Sequence, residues 1–202
     1  MSFLIYLIVY PFLWCISMLP FRLLYLFSDF IYLIVYYVIG YRKKTVRENL
    51  ALALPNLSTE ERLVIEKKSF RHLCDMFLEM IKTMTISKKE ISKRFTFSNL
   101  EVYKKLEEQE KSIAMMLAHY ASYEWVISMN AYVTYSAFAI YKKIANPYFD
   151  KLVRNIRSRF KASLITTKET VPYIIKNKNN NELSIYGFAS DQSPKVSSAF
   201  HW

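Results

Sequence analysis

Residues 3–39 are almost wholly apolar and aromatic, and the texture of the chain changes twice after them. Only Pro11, the Pro20-Phe21-Arg22 step and Asp29 interrupt that first run. The pattern predicts two helical stretches, each near the ~20 residues that cross a hydrocarbon core about 30 Å thick. No basic stretch precedes the run and no small-residue cleavage site follows it, so it reads as a retained anchor over 1–40 rather than a removed signal. Lack of a polar face argues against a hairpin buried in a soluble core. The pattern fits a pair of helices that span a bilayer and equally a pair that lies in its interface. Tyr41-Arg42-Lys43-Lys44-Thr45-Val46-Arg47 follows directly, a cationic flank of the kind retained on the cytoplasmic side.

Residues 41–94 form a helical region. Ser58-Thr59-Glu60-Glu61 is a capping-box pattern, in which a hydroxyl and a carboxylate satisfy the first free N–H groups of a helix. The helix should run to about Thr83, with Leu63, Phe70, Leu73, Phe77, Met80 and Ile81 as its buried stripe. Arg71 and His72 lie on it, His72 as a structural or surface residue. Ser87-Lys88-Lys89-Glu90 repeats the capping pattern for a short helix.

Beyond that point short apolar runs alternate with helical patterns. Strands are predicted at 95–97, 112–117, 136–141, 163–166 and 183–189, and helices at 100–108, 123–132, 147–160 and 171–176. This alternation predicts an α/β domain over 95–202, an open mixed sheet flanked by helices, with a site at the C-terminal ends of the strands. The polar stretch 177–181 reads as a surface loop.

Composition narrows the chemistry. The 202 residues are 52% hydrophobic and carry a formal charge of +11, from 28 Lys and Arg against 17 Asp and Glu. That balance favours anionic partners, but basic residues scattered among helices behind a membrane anchor argue against nucleic acid. With only two glycines, Gly40 and Gly187, no phosphate-cradling glycine loop exists. Cys15 and Cys74 have no metal spacing and read as buried packing residues. His72, His119 and His201 lack ligand spacing with Cys or acids, so neither a metal nor another cofactor is expected.

His119 follows the apolar run Ile113-Ala114-Met115-Met116-Leu117-Ala118, and Glu124 comes five residues later. Five helical steps of 100° would separate the two side chains, so pairing them requires a break, which a strand-end His and a first-turn Glu provide. The carboxylate would then fix the imidazole tautomer and leave the other ring nitrogen to take a proton from a substrate hydroxyl. A His followed by an acid at this spacing is by itself a weak signal. Its bland reading is chance.

The His119-x4-Glu124 block is accompanied by Tyr41-Arg42-x-x-x-Val46-Arg47-x-Asn49-Leu50, Phe70-Arg71-His72-Leu73, Tyr141-Lys142-x-x-x-Asn146-Pro147 and Asp191-Gln192-Ser193-Pro194. Five blocks in this order resemble the bacterial lipid A biosynthesis acyltransferases, within the wider glycerolipid acyltransferase superfamily. The resemblance implies transfer of a fatty acyl chain from acyl carrier protein to a hydroxyl of a lipid A precursor, at the cytoplasmic face of the inner membrane and among its phospholipids. It makes His119 the base and Glu124 its orienting partner. Arg157 and Asp191 match the family's functional arginine and aspartate and would bind substrate, with Tyr141 and Asn146 shaping the pocket. From the residues alone, Arg157 reads equally as part of a solvated face with Arg154, Arg159 and Lys161, and Asp191 as a turn residue before Pro194. Similar proteins continue past Trp202, so the resemblance also implies a C-terminally truncated chain lacking some strands and part of the acyl pocket. Ala118 stands where relatives commonly have glycine. The rival readings are a glycerophospholipid acyltransferase using the same dyad, and an inactive truncated membrane protein in which replacing His119 has no effect.

Overall fold

The computed structural model describes residues 2–191. They pack as two compact units, one of residues 9–85 and the other of residues 2–8 with 86–191.

The first unit is helical. Helix α1 spans Ser2–Met18 and belongs to this unit from residue 9 on, and α2 spans Phe21–Leu33 and continues as a π-helical turn, Ile34–Ile39, until Gly40 at φ 66° stops it. A left-handed residue at that point ends a helix with little strain only if it has no Cβ. After α3 (Lys43–Ala53), the long α4 (Thr59–Lys82) begins at the expected capping box: the Ser58 hydroxyl accepts from the Glu61 N–H, and the Glu61 carboxylate accepts from the Ser58 N–H. The buried face of α4 differs from the expected stripe. Leu63 and Phe77 are exposed, and the covered positions are Glu66, Phe70, Cys74, Leu78 and Glu79. Polar contacts set this phase. Tyr36 Oη donates to Glu66 at 2.8 Å, Arg47 Nε donates to the same carboxylate at 2.8 Å, and Tyr25 Oη donates to Glu79 at 2.7 Å. Tyr32, Tyr36, Phe70 and Cys74 form one core cluster, and Ile16, Leu24 and Leu78 another. Cys15, expected inside, is exposed on α1, whose outward side is apolar but has no protein cover.

The second unit contains α5 (Lys88–Arg94), α6 (Leu100–Glu107), β1 (Ile113–Leu117), a 3₁₀ helix (Tyr123–Ala131), β2 (Ser136–Tyr141), α7 (Pro147–Arg157), β3 (Ser163–Thr166), α8 (Thr170–Asn179) and β4 (Ser184–Ala189). It is the expected α/β arrangement, a sheet flanked by helices. The strands run in the order β1-β4-β2-β3, and all their pairings are parallel, so the sheet expected to be mixed is parallel throughout its described strands. Crossovers through the 3₁₀ helix, α7 and α8 account for this, because a strand returning after a helix lies parallel to the one it left.

Three local expectations change. Residues 95–97 form no strand: Phe95 closes α5, and the Phe97 ring packs on those of Phe95 and Tyr132 instead. The helix predicted at 123–132 is a tighter 3₁₀ helix. Asn177 is no loop residue; α8 continues through it, and its buried Nδ2 donates to Ser184 Oγ at 3.2 Å and Tyr186 Oη at 3.0 Å. The polar composition of 177–181 concealed an internal tie between α8 and β4.

Candidate active site

The register of β1 with β4 builds the site. Leu117 stands opposite Ala189, an offset of 72 residues, and the Ser190 N–H extends the ladder to the Leu117 carbonyl at 3.0 Å. Two residues further, the same offset sets His119 against Asp191. Both lie just past the C-terminal ends of neighbouring parallel strands, where open α/β sheets gather their ligands. The Asp191 carboxylate meets His119 twice: Oδ2 accepts from the backbone N–H at 2.9 Å, and Oδ1 lies 2.7 Å from Nδ1. These two contacts, the ring contact first, hold the Asp191 carboxyl below its ordinary value. An ionised carboxylate can only accept, so Nδ1 is the donor, and in a neutral imidazole Nε2 is then the nitrogen with the lone pair. About a third of each side chain is exposed.

Glu124 does not reach the imidazole. The break expected between His119 and Glu124 is present, with Ala121 at φ 51° and the 3₁₀ helix starting at Tyr123, but it turns the carboxylate toward α7. There Arg157 Nε donates to Glu124 Oε2 at 2.7 Å and Arg157 Nη2 donates to Oε1, a two-pronged pairing. Glu124 is buried and Arg157 largely so. Burial alone would lower the Arg157 pKa, yet the hydrogen bonds and charge of Glu124 prevail and raise it. Tyr123 lies between the two pairs, its ring edge-on to His119 with centroids 4.8 Å apart. Its phenol is raised chiefly by burial and then by the neighbouring Glu124 charge.

The orienting contact expected from Glu124 therefore comes from Asp191, and Glu124 holds Arg157. The sequence carried a usable signal for the first pairing: two short apolar runs, 113–117 and 184–189, each followed at the second position by a polar residue able to share a proton. Tyr123 was not picked out from the sequence at all.

Asn146 and Tyr141 have local tasks in the fold. Asn146 caps α7, its side-chain oxygen accepting from the N–H groups of Tyr148 at 3.0 Å and Phe149 at 3.4 Å. Tyr141, buried at the end of β2, donates to Asp150 Oδ2 and accepts from Arg154 Nη1, each at 3.3 Å. Gln192, Ser193, Pro194 and His201 lie outside the described residues. Among the described residues no cluster of three or more His, Cys, Asp or Glu side chains is arranged to hold a metal.

The structure thus sets an Asp-bound histidine at the C-terminal ends of parallel strands β1 and β4 and clamps Arg157 of α7 on Glu124. The family profile described as bacterial lipid A biosynthesis acyltransferase matches residues 1–200, and the chain belongs to that family. Its general activity is accordingly that of a lipid A acyltransferase. No curated protein matches the chain.

Proposed function

We propose that the chain transfers a fatty acyl group from acyl carrier protein to a hydroxyl of a lipid A precursor, with His119 as general base. The contact of Nδ1 with Asp191 carries the reading. With Nδ1 protonated, Nε2 takes the proton of the acceptor hydroxyl as its oxygen attacks the thioester carbonyl. A carbon–oxygen bond forms, the carbon–sulfur bond breaks, and the proton on Nε2 passes to the departing thiolate. Arg157 binds a phosphate or carbonyl oxygen through its Nη1 donors, which the fork on Glu124 does not use. Glu124 acts through Arg157 as a positioning residue. Tyr141 and Asn146 shape the site indirectly, by fixing the end of β2 and the start of α7.

The net charge of +11 suits an acidic carrier protein and a phosphorylated glycolipid, and no cofactor enters the reaction. An apolar N-terminal region followed by Arg42, Lys43, Lys44 and Arg47 is consistent with a home on the inner membrane, its phospholipids at the anchor and the catalytic unit on the cytoplasmic face. The test is an assay with acyl carrier protein donors and a tetra-acylated precursor, comparing the chain with His119→Ala and Asp191→Asn. Loss of transfer by about 10²-fold or more in His119→Ala is expected for a general base. Equal transfer by the His119→Ala variant would end the proposal.

A further inference from the structure

Within the helical unit, the 19-residue apolar segment Phe21–Ile39 is long and apolar enough to cross a bilayer. Its contacts point elsewhere. Along one side it is tied to α4 in antiparallel order: Tyr25 to Glu79 at 2.7 Å, Asp29 to Arg71 at 2.9 Å, and Tyr36 to Glu66 at 2.8 Å. From Tyr25 to Tyr36 is eleven residues, roughly 16 Å of helix at 1.5 Å per residue, so α4 accompanies it over much of its length. Lys67, Lys68, Arg71 and His72 of α4 are exposed at that same level. At the start of the segment, Lys82 Nζ donates to the Ser17 and Leu19 carbonyls at 2.8 and 2.7 Å, which fastens the α1–α2 junction to the far end of α4. If Phe21–Ile39 crossed the hydrocarbon, α4 and its charges would have to cross with it, and exposed charged side chains are not tolerated at that depth.

The opposite side of the segment is bare. Leu23, Leu26, Phe30, Leu33 and Tyr37 recur at three- and four-residue spacing and are all at least half exposed, and Val38 and Ile39 extend the row. The buried positions Leu24, Ser28, Tyr32 and Tyr36 lie on the other face. Cations stand at both ends of the bare row: Arg22 at its start, and Arg42, Lys43 and Lys44 just past Gly40. A helix with one apolar face, cationic ends and a polar side committed to the protein is built to lie in a membrane interface.

We propose that Phe21–Ile39 lies along the surface of a bilayer containing anionic phospholipid, its bare row sunk among the acyl chains and α4 on the water side, rather than crossing it. The occupant is a lipid surface, because the row is apolar and its flanks complement anionic headgroups. The inference rests on the helical unit alone and does not depend on the chemistry assigned to His119.

The test uses the full chain carrying Cys15→Ser. Buried Cys74 is kept, with Cys74→Ala as a second background if a membrane-impermeant maleimide labels the parent. Single cysteines at Arg22→Cys and Lys44→Cys are probed with that maleimide in sealed membrane vesicles of both orientations. Both positions should label from the same face. Labelling from opposite faces would overturn the proposal. In parallel, an environment-sensitive fluorophore on Leu26→Cys or Val38→Cys should shift to the blue on phosphatidylethanolamine–phosphatidylglycerol vesicles. It should be quenched more by a nitroxide near the headgroup than by one deep in the chain. No shift, or stronger quenching by the deep nitroxide with the fluorophore on Phe30→Cys, would also overturn it.

Discussion

Glu66 in the helical unit and Glu124 beside the sheet each accept from both Nε and Nη2 of an arginine, yet the two forks sit in opposite surroundings. Glu66 is 2% exposed and receives a third hydrogen bond from Tyr36, while its partner Arg47 is 57% exposed. The carboxylate there is the buried point on which α2, α3 and α4 converge. In the other pair the arginine is also drawn in, at 22% exposure, and its partner Glu124 follows by five residues an imidazole with a carboxylate of its own. The same two-pronged bond thus fastens helices in one place and, in the function proposed above, aims a guanidinium in the other. What separates the two forks is the burial of the arginine, 57% exposed beside Glu66 and 22% beside Glu124.

The largest expected effect tests the catalytic side of that contrast. His119→Ala should lower acyl transfer about 10²- to 10⁴-fold and leave the thermal midpoint close to the parent's, since the ring is partly exposed. A large fall in the midpoint, measured by circular dichroism, would move this cluster into the same structural category as Glu66. Next, Glu66→Ala should cost about 1–3 kcal/mol in denaturant unfolding, because it leaves the buried Tyr36 hydroxyl without its acceptor. Smaller still, Arg157→Lys keeps the charge and loses the fork; transfer should fall about 10-fold, equivalent to ~1.4 kcal/mol of barrier. Arg47→Lys should leave transfer unaltered and show only in stability.

Acid unfolding separates the two regions again. Burial pushes the Glu66 carboxyl upward, but Arg47 and Tyr36 outweigh it and the result is lowered; Asp191 is lowered by its two contacts with His119. A carboxyl lowered on folding contributes stability above its unfolded pKa, about 4 for these groups, and loses it as pH falls through the lower folded value. Stability measured below about pH 5 should therefore be flatter in Glu66→Gln than in the parent. The change in Asp191→Asn should be shallower, because that carboxylate faces water. The smallest effect is at the start of α4, where Ser58→Ala should cost about 1 kcal/mol by removing the capping hydroxyl.

Much of the architecture was legible because it depends on local pattern. The capping residues Ser58 and Ser87, Pro147 in the first turn of α7, and the strands at 136–141 and 163–166 all follow from neighbours in sequence. What could not be read depends on partners far along the chain. Phe77, expected inside, is left exposed while Glu66 is buried, because Tyr36 and Arg47 arrive from other helices. Asn177 goes inside because Tyr186 offers it an acceptor. Periodicity placed His119 at a strand tip. It could not foresee that Asp191, seventy-two residues away, would stand beside it while Glu124 turned to Arg157.

The strand order has a consequence for how the molecule is born. Among the described strands, β1 touches only β4, and β4 is the last of them to leave the ribosome. Until residues 184–189 are made, β1 is an orphan ribbon and His119 a histidine on a loose end. Closing the gap between β1 and β2 joins the described strands into one sheet and hands the imidazole its carboxylate in the same stroke, so the histidine and its acid are paired only after both strands are in place.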